Sequence, residues 1–396
     1  MNKNKVLLTA IAFMTYMIMS GLLTQIGVIL NAFSKSIGYP TSQAVAVFSY
    51  LTGGALIGTF ISLGLYSRFA LGSVLKVSYG VFLCVMLALV FVSVPSLALV
   101  KASLLILGIC CGCGLSGGAV IISKSYNAAK RASAFIATDC SFSAAGYIFP
   151  TIAIFMLAQN MAWTWSYAAV GIIALCLFLM LFLVRFPETE ATQENSARVV
   201  EQLKHILTLR VILMGMGVCA YLIAQTTFLS WAPNYLELTF ALASEKAASV
   251  VSNYWGLSIF GLLSSALLIH VIRPRWMLMG AVTFALIMSV FFSFTKSADY
   301  FLVLSFAFGF FTTCIYKIAM AVGSEQIANA PAMLVTFLLF SGGVGSASAP
   351  ALSGVIVSQF GLAAAMYMTM ISFAVVVVMF SLCLLLERYS PNIKTD

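Results

Sequence analysis

One carboxylate, Asp139, stands inside "ATDCSFSAAGYIFP", residues 137–150, a run that otherwise reads as buried helix. One ammonium, Lys317, stands in the equally apolar "FFTTCIYKIAMAVGS". An ionised side chain at mid-membrane costs at least ~3 kcal/mol, so each must be paired, hydrated, neutralised or extended to an interface. The chemistry open to such a pair is proton exchange at the acid, or an ion pair that forms and breaks. The plainer alternatives are a protonated acid bonding a neighbouring helix, and a lysine that snorkels to the nearer surface. A second group is amide and aromatic: Tyr221 and Gln225, one helical turn apart, then Asn253, Tyr254 and Trp255 in "SNYWG". Tyr16, Gln25, Tyr50 and Tyr316 extend it. Such side chains hydrogen-bond and stack on a neutral polar solute, or serve as glue between helices.

The elements that carry these residues must be membrane helices. The 396 residues are 62% hydrophobic and 8% charged, with 31 Phe and 19 Met. Soluble domains are typically about half apolar and a quarter charged. At about 20 apolar residues per crossing, twelve segments emerge: 6–33, 42–66, 73–94, 98–122, 132–158, 163–185, 207–236, 247–271, 276–295, 299–323, 332–357 and 361–386. The stretch 187–205, "PETEATQENSARVVEQLKH", separates two sets of six. The reading is an all-α integral membrane protein of two six-helix bundles, 1–186 and 206–396, joined by a cytoplasmic central loop at 187–205. No cleavable signal peptide is evident.

Charge gives orientation. With the N-terminus cytoplasmic, fifteen Lys and Arg fall on the inner face, and Lys35, Lys101, Lys246 and Lys296 on the outer. That bias predicts both termini inside, and it accounts for the net charge of +9 without nucleic acid. The halves echo each other: Tyr50 with Tyr254, Gly58 with Gly261, Pro150 with Pro350, at offsets of 204, 203 and 200. This is the pattern of a parallel repeat.

On segment five, Ala132, Ile136, Asp139, Ser143, Gly146 and Pro150 share one narrow stripe of mostly small residues, suited to close packing on another helix. At 1.5 Å per residue, Asp139 and Lys317 both lie about 10 Å inside the same boundary, so an ion pair is within reach. The nine cysteines fall in apolar segments, and no His or acid neighbours the group 110, 111 and 113. No metal site and no cofactor is expected. Neither a nucleotide loop nor a catalytic motif occurs, which excludes an ATP-driven pump and leaves an integral enzyme without a visible catalytic group, so no enzyme is expected.

Twelve spans around a polar central loop resemble the major facilitator superfamily. "AYLIAQTTFLSWAPNY", "SNYWGLSIFGLL" and "LVTFLLFSGGVGSASAP" resemble helices seven, eight and eleven of its fucose–proton symporter branch. "TDCSFSAAGYIFPTIA", "VVSNYW" and "FGFFTTCIY" are most similar to the bacterial TsgA-type transporters of that branch. The resemblance implies a monomeric secondary active transporter of the bacterial inner membrane that moves a small polar solute, sugar-like or another metabolite, by alternating access. It implies proton-coupled uptake (symport); the depth and charge of Asp139 and Lys317, not the resemblance, make them the candidates for carrier or gate. The alternatives are proton-driven export of a drug, metabolite or siderophore-type molecule, and a sensor or scaffold without flux. The cytoplasmic loop motif survives only as Ser67 and Arg68, with Ser67 where an acid is expected. Leu23 and Ser116 stand where sugar symporters of the branch carry acids, and Lys317 where they carry a proline. Fucose specificity and that proton route therefore do not transfer.

Overall fold

The computed structural model describes residues 3–92, 96–186, 207–269, 271–326 and 332–389, without the side chains at 63, 67, 128, 129, 131, 132, 332, 333, 388 and 389. The central loop expected at 187–205 lies outside these residues, as do both histidines. The described residues are helical, with twelve crossings long and apolar enough to span a membrane.

Two crossings differ from expectation. Segment one is Lys3–Thr24 followed by a separate helix, Ile26–Ile37, with Gln25 at the break. The Gln25 side-chain amide donates to the Gly21 carbonyl at 2.7 Å, the acceptor that the helix would otherwise give to the residue 25 N–H. Segment two begins as Thr41–Val47, breaks at Phe48, and resumes as Ser49–Arg68. The remaining crossings are Leu71–Phe91, Leu97–Ser125, Ala128–Ala158 and Trp163–Met180, then Leu209–Phe240, Ser244–Leu268, Pro274–Phe294, Ala298–Ser324, Ala332–Phe360 and Ala363–Tyr389. Hydroxyls at Ser96, Thr208 and Ser297 accept from first-turn N–H groups of segments four, seven and ten. With an even number of crossings, both ends of the chain fall on one face, called here the terminal face.

Lipid is as apolar as leucine, so helices here associate through close packing and not through the hydrophobic effect. Within each half the closest backbone packing is a glycine clamp. In the first half, Gly58 lies on the Ile109 carbonyl and Gly108 on the Leu51 carbonyl, clamping segment two to segment four. In the second, Gly261 lies on the Phe310 carbonyl and Gly309 on the Tyr254 carbonyl, clamping eight to ten. A Cβ at any of the four would overlap backbone oxygen. The two clamps are counterparts, with Gly58 and Gly261 offset by 203 and Gly108 and Gly309 by 201. This register corrects the pairing of Tyr50 with Tyr254: the counterpart of Tyr254 is Leu51. Tyr254 is fully buried, while Tyr50 is 41% exposed beneath the Lys101 ammonium.

The second half also holds an aromatic cluster, in which Phe228, Phe292, Phe301 and Phe308 pack with ring centroids 4.4–5.9 Å apart. At its terminal face, Arg275 pairs with Glu387 and with Glu325, tying segment nine to twelve and to the end of ten.

Replacing Gly261 with valine should cost roughly 1–3 kcal/mol by overpacking. The same change at Gly280, whose Cβ would meet nothing within 4 Å, should leave the thermal midpoint in detergent unchanged. Equal midpoints for the two variants would refute the clamp.

Candidate functional site

Asp139 and Lys317 meet. Lys317 Nζ lies 3.0 Å from Asp139 Oδ1, joining segment five of one half to segment ten of the other. The carboxylate side chain is 15% exposed and the ammonium 48%. Tyr16 of segment one and Tyr316 of segment ten both stand within the field of the carboxylate. The Lys317 ammonium also stands 5.6 Å from the Tyr316 ring centroid. The site therefore draws on segments one, five and ten. Protonating the carboxylate would remove the charge that holds the ammonium, leaving a neutral acid and a free cation.

One to two turns further along segment five, Phe142 packs on Trp255 of segment eight, centroids 5.6 Å apart, and Gly146 lies under the same indole. The absence of a Cβ at Gly146 lets the ring lie against the helix, which is what the small stripe on segment five permits. The Trp255 indole nitrogen is buried without a hydrogen-bond partner.

Three of the amide and aromatic candidates, Gln225, Tyr254 and Tyr221, form one chain through Thr312 within the second half. Gln225 Nε2 donates to the Tyr254 hydroxyl at 2.7 Å. The Thr312 hydroxyl spends its proton on the Phe308 carbonyl, so Tyr254 donates to Thr312, also at 2.7 Å. Tyr221 donates to the Thr312 carbonyl at 2.9 Å. Segments seven, eight and ten are thereby fixed to one another, with Gln225 as the half-buried end. Asn253 makes a long bond to the Leu302 carbonyl, 3.4 Å.

Other candidates are placed apart from this centre. Gln25 is fully buried within the first half, held by Gly21 and more loosely by the Ser166 carbonyl, so it braces segments one and six. Tyr50 sits at the exposed edge already described. Arg68 is the last residue of segment two and is exposed. The Ser67 side chain lies outside the described residues.

The face opposite the termini is closed by contacts outside the candidate residues. Pro233 has no N–H, so the Leu229 carbonyl lacks its helical donor. Gly27 of segment one rests on that carbonyl. One turn out, Asn31 Nδ2 donates to Glu237 Oε2 at 2.9 Å. Two further bonds between the halves are counterparts in the repeat: Thr151 to Ser252, 3.1 Å, and the Ala351 N–H to Ser49 Oγ, 3.1 Å. Toward the terminal face, the halves are joined by the Phe60–Phe340 ring pair and by Asp139–Lys317. A proline inside a helix, facing a glycine-bearing segment, was the available signal for the first of these.

Comparison with known proteins agrees with this architecture. The model of the Major Facilitator Superfamily matches residues 96–269. Protein TsgA of Salmonella typhi is 30% identical over 380 residues, covering 96% of this chain and 95% of its own length. Among solved structures, a D-xylose–proton symporter superposes with a TM-score of 0.74 at 14% identity, over 96% of this chain and 97% of that one. FucP, a major facilitator transporter in the outward conformation, gives 0.66 at 14% identity, over 96% and 99%. The family match, not the build alone, makes this a transporter of a small-molecule substrate and not an enzyme. The chain belongs to the major facilitator superfamily and, within it, to the family of the TsgA proteins.

The unequal exposure of the ion pair predicts unequal costs. Lys317→Met strands a carboxylate that has little water, whereas Asp139→Asn leaves an ammonium able to reach solvent along its stem. The thermal midpoint of Lys317→Met in detergent should fall further, by roughly 1–3 kcal/mol of stability. The double exchange, Asp139→Lys with Lys317→Asp, should recover most of the loss. No recovery would mean that the two charges act separately.

Proposed function

We propose that this protein is a secondary active transporter of the bacterial inner membrane, taking up a small polar solute together with protons by alternating access. The observation that carries the proposal is the Asp139–Lys317 pair, a charge contact between the two halves inside the membrane. In the proposed cycle, the paired, ionised state holds segments five and ten together near the terminal face. Protonation of Asp139 cancels the attraction, and the halves rock apart on that side. The solute then leaves from between them, and loss of the proton restores the pair.

The terminal face is taken as cytoplasmic because most of the chain's Lys and Arg fall on it. The halves 1–186 and 206–396 are taken as the two moving domains of a monomer. The solute is assigned to the space between them, against Tyr16, Tyr316, Trp255 and the Gln225–Tyr254 end of the hydrogen-bonded chain. Those groups offer hydroxyl, indole and amide contacts beside aromatic faces, as a neutral, hydroxyl-rich solute requires. The superposing D-xylose–proton symporter supports a sugar-like cargo and proton coupling.

The proposal is tested in proteoliposomes loaded with a pH-sensitive dye and offered a panel of sugars and nucleosides. Cargo should acidify the lumen in the wild type. In Asp139→Asn the acidification should be lost while solute exchange without a gradient persists. Proton-driven accumulation retained in Asp139→Asn would rule out Asp139 as the carrier.

A further inference from the structure

A cavity of about 530 Å³ opens between the halves on the face opposite the termini, beyond the Gly27–Leu229 contact. Its polar lining is Asn31 and Lys35 from segment one, Asn160 after segment five, Asn234 and Glu237 from segment seven, and Glu245 at the start of segment eight. None of these belongs to the central site.

Three observations mark it as built for a ligand. Asn234 is 2% exposed, yet its Nδ2 has no hydrogen-bond partner. A buried donor left unmet costs roughly 1–3 kcal/mol, and here it belongs to a residue that lines a cavity. Glu237 spends its two oxygens on neutral donors, Asn31 Nδ2 at 2.9 Å and the Ser244 hydroxyl at 2.7 Å. Among the described residues, neither Glu237 nor Glu245 is in an ion pair. Two carboxylates against the single ammonium of Lys35 leave the lining one negative charge in excess.

The missing pieces define the occupant. It must bring a cation for the carboxylates and an acceptor for Asn234. Asn234 and Glu237 are three apart on one helix, so both groups are met from the same face, a few ångströms from each other. We propose that this cavity binds a small solute bearing a protonated amine and, two or three bonds away, a hydroxyl or carbonyl oxygen. The ammonium pairs with Glu237 and Glu245, and the oxygen accepts from Asn234 Nδ2.

Occupancy has a mechanical consequence. An ammonium at Glu237 competes with the Asn31 amide, whose hydrogen bond ties segment one to segment seven. The ligand therefore favours opening of this face. The site stands whatever the cargo of the central site is, because its residues are separate.

The test uses the full-length protein in detergent at pH 7 and follows its thermal midpoint during titration with ethanolamine hydrochloride. Sodium chloride, sodium acetate and ethylene glycol serve as matched controls. Ethanolamine alone should give a saturable rise, because a ligand that binds only the folded state stabilises it by mass action. Glu237→Gln and Asn234→Leu should each weaken its apparent affinity about tenfold or more, the loss of one strong hydrogen bond. Gly280→Val, where an added side chain meets nothing and which lies outside both sites, should keep the response. The proposal is overturned if ethanolamine has no effect on the wild type, or if a control matches it. It is equally overturned if the response survives Glu237→Gln.

Discussion

A charge inside a membrane has to be answered by another charge, by water or by a proton. That constraint organises the molecule around Asp139 and Lys317. The two residues lie on different halves, so the contact that satisfies them also joins the halves. A hydrophobic replacement of similar volume would pack as well or better, and paired charges in low dielectric add little net stability. What the ion pair offers is reversibility: one proton on the carboxylate removes the attraction without disturbing the packing around it.

For that release to produce motion, each half has to move as a unit. The glycine clamps supply the stiffness, fixing segment two to four and eight to ten by backbone contact, where no side chain can yield. The Gln225–Tyr254–Thr312 chain adds directional bonds between segments seven, eight and ten. Contacts between the halves on the closed face are single hydrogen bonds, together with Gly27 seated on the carbonyl freed by Pro233 and Gly354 on the Ser42 carbonyl. Bonds of this type contribute about 1 kcal/mol each, small enough to be exchanged during a cycle. Stiff halves and weak seams are the physical requirement for rocking.

The fold was legible because hydropathy and length leave little choice in a membrane: twelve apolar runs could only be helices, and the matching depths of Asp139 and Lys317 brought them within reach. The register of the repeat was less legible. Tyr50 and Tyr254 look alike as letters, but the clamp pairs Tyr254 with Leu51, since the repeat preserves backbone approach and not side-chain identity. Gln25 read as a cavity amide and instead braces its own bundle, because sequence places an amide on a helix without saying which neighbour it faces. Glu237 and Asn31 went unread because their meaning lies in a contact between segments 206 residues apart. The outer cavity had no linear signature, its lining being drawn from four segments.

The central claim is that protonation of Asp139 lets segments five and ten separate at the terminal face. It is tested most directly by nitroxide labels at Lys130 and Ser324, near those ends, with the distance between them measured by pulsed dipolar spectroscopy. The account predicts a short distance at pH 8 that lengthens at pH 5 in the wild type, and a long distance at both values in Asp139→Asn. A distance in the wild type that ignores pH, or one that lengthens with acid in Asp139→Asn as well, would contradict it.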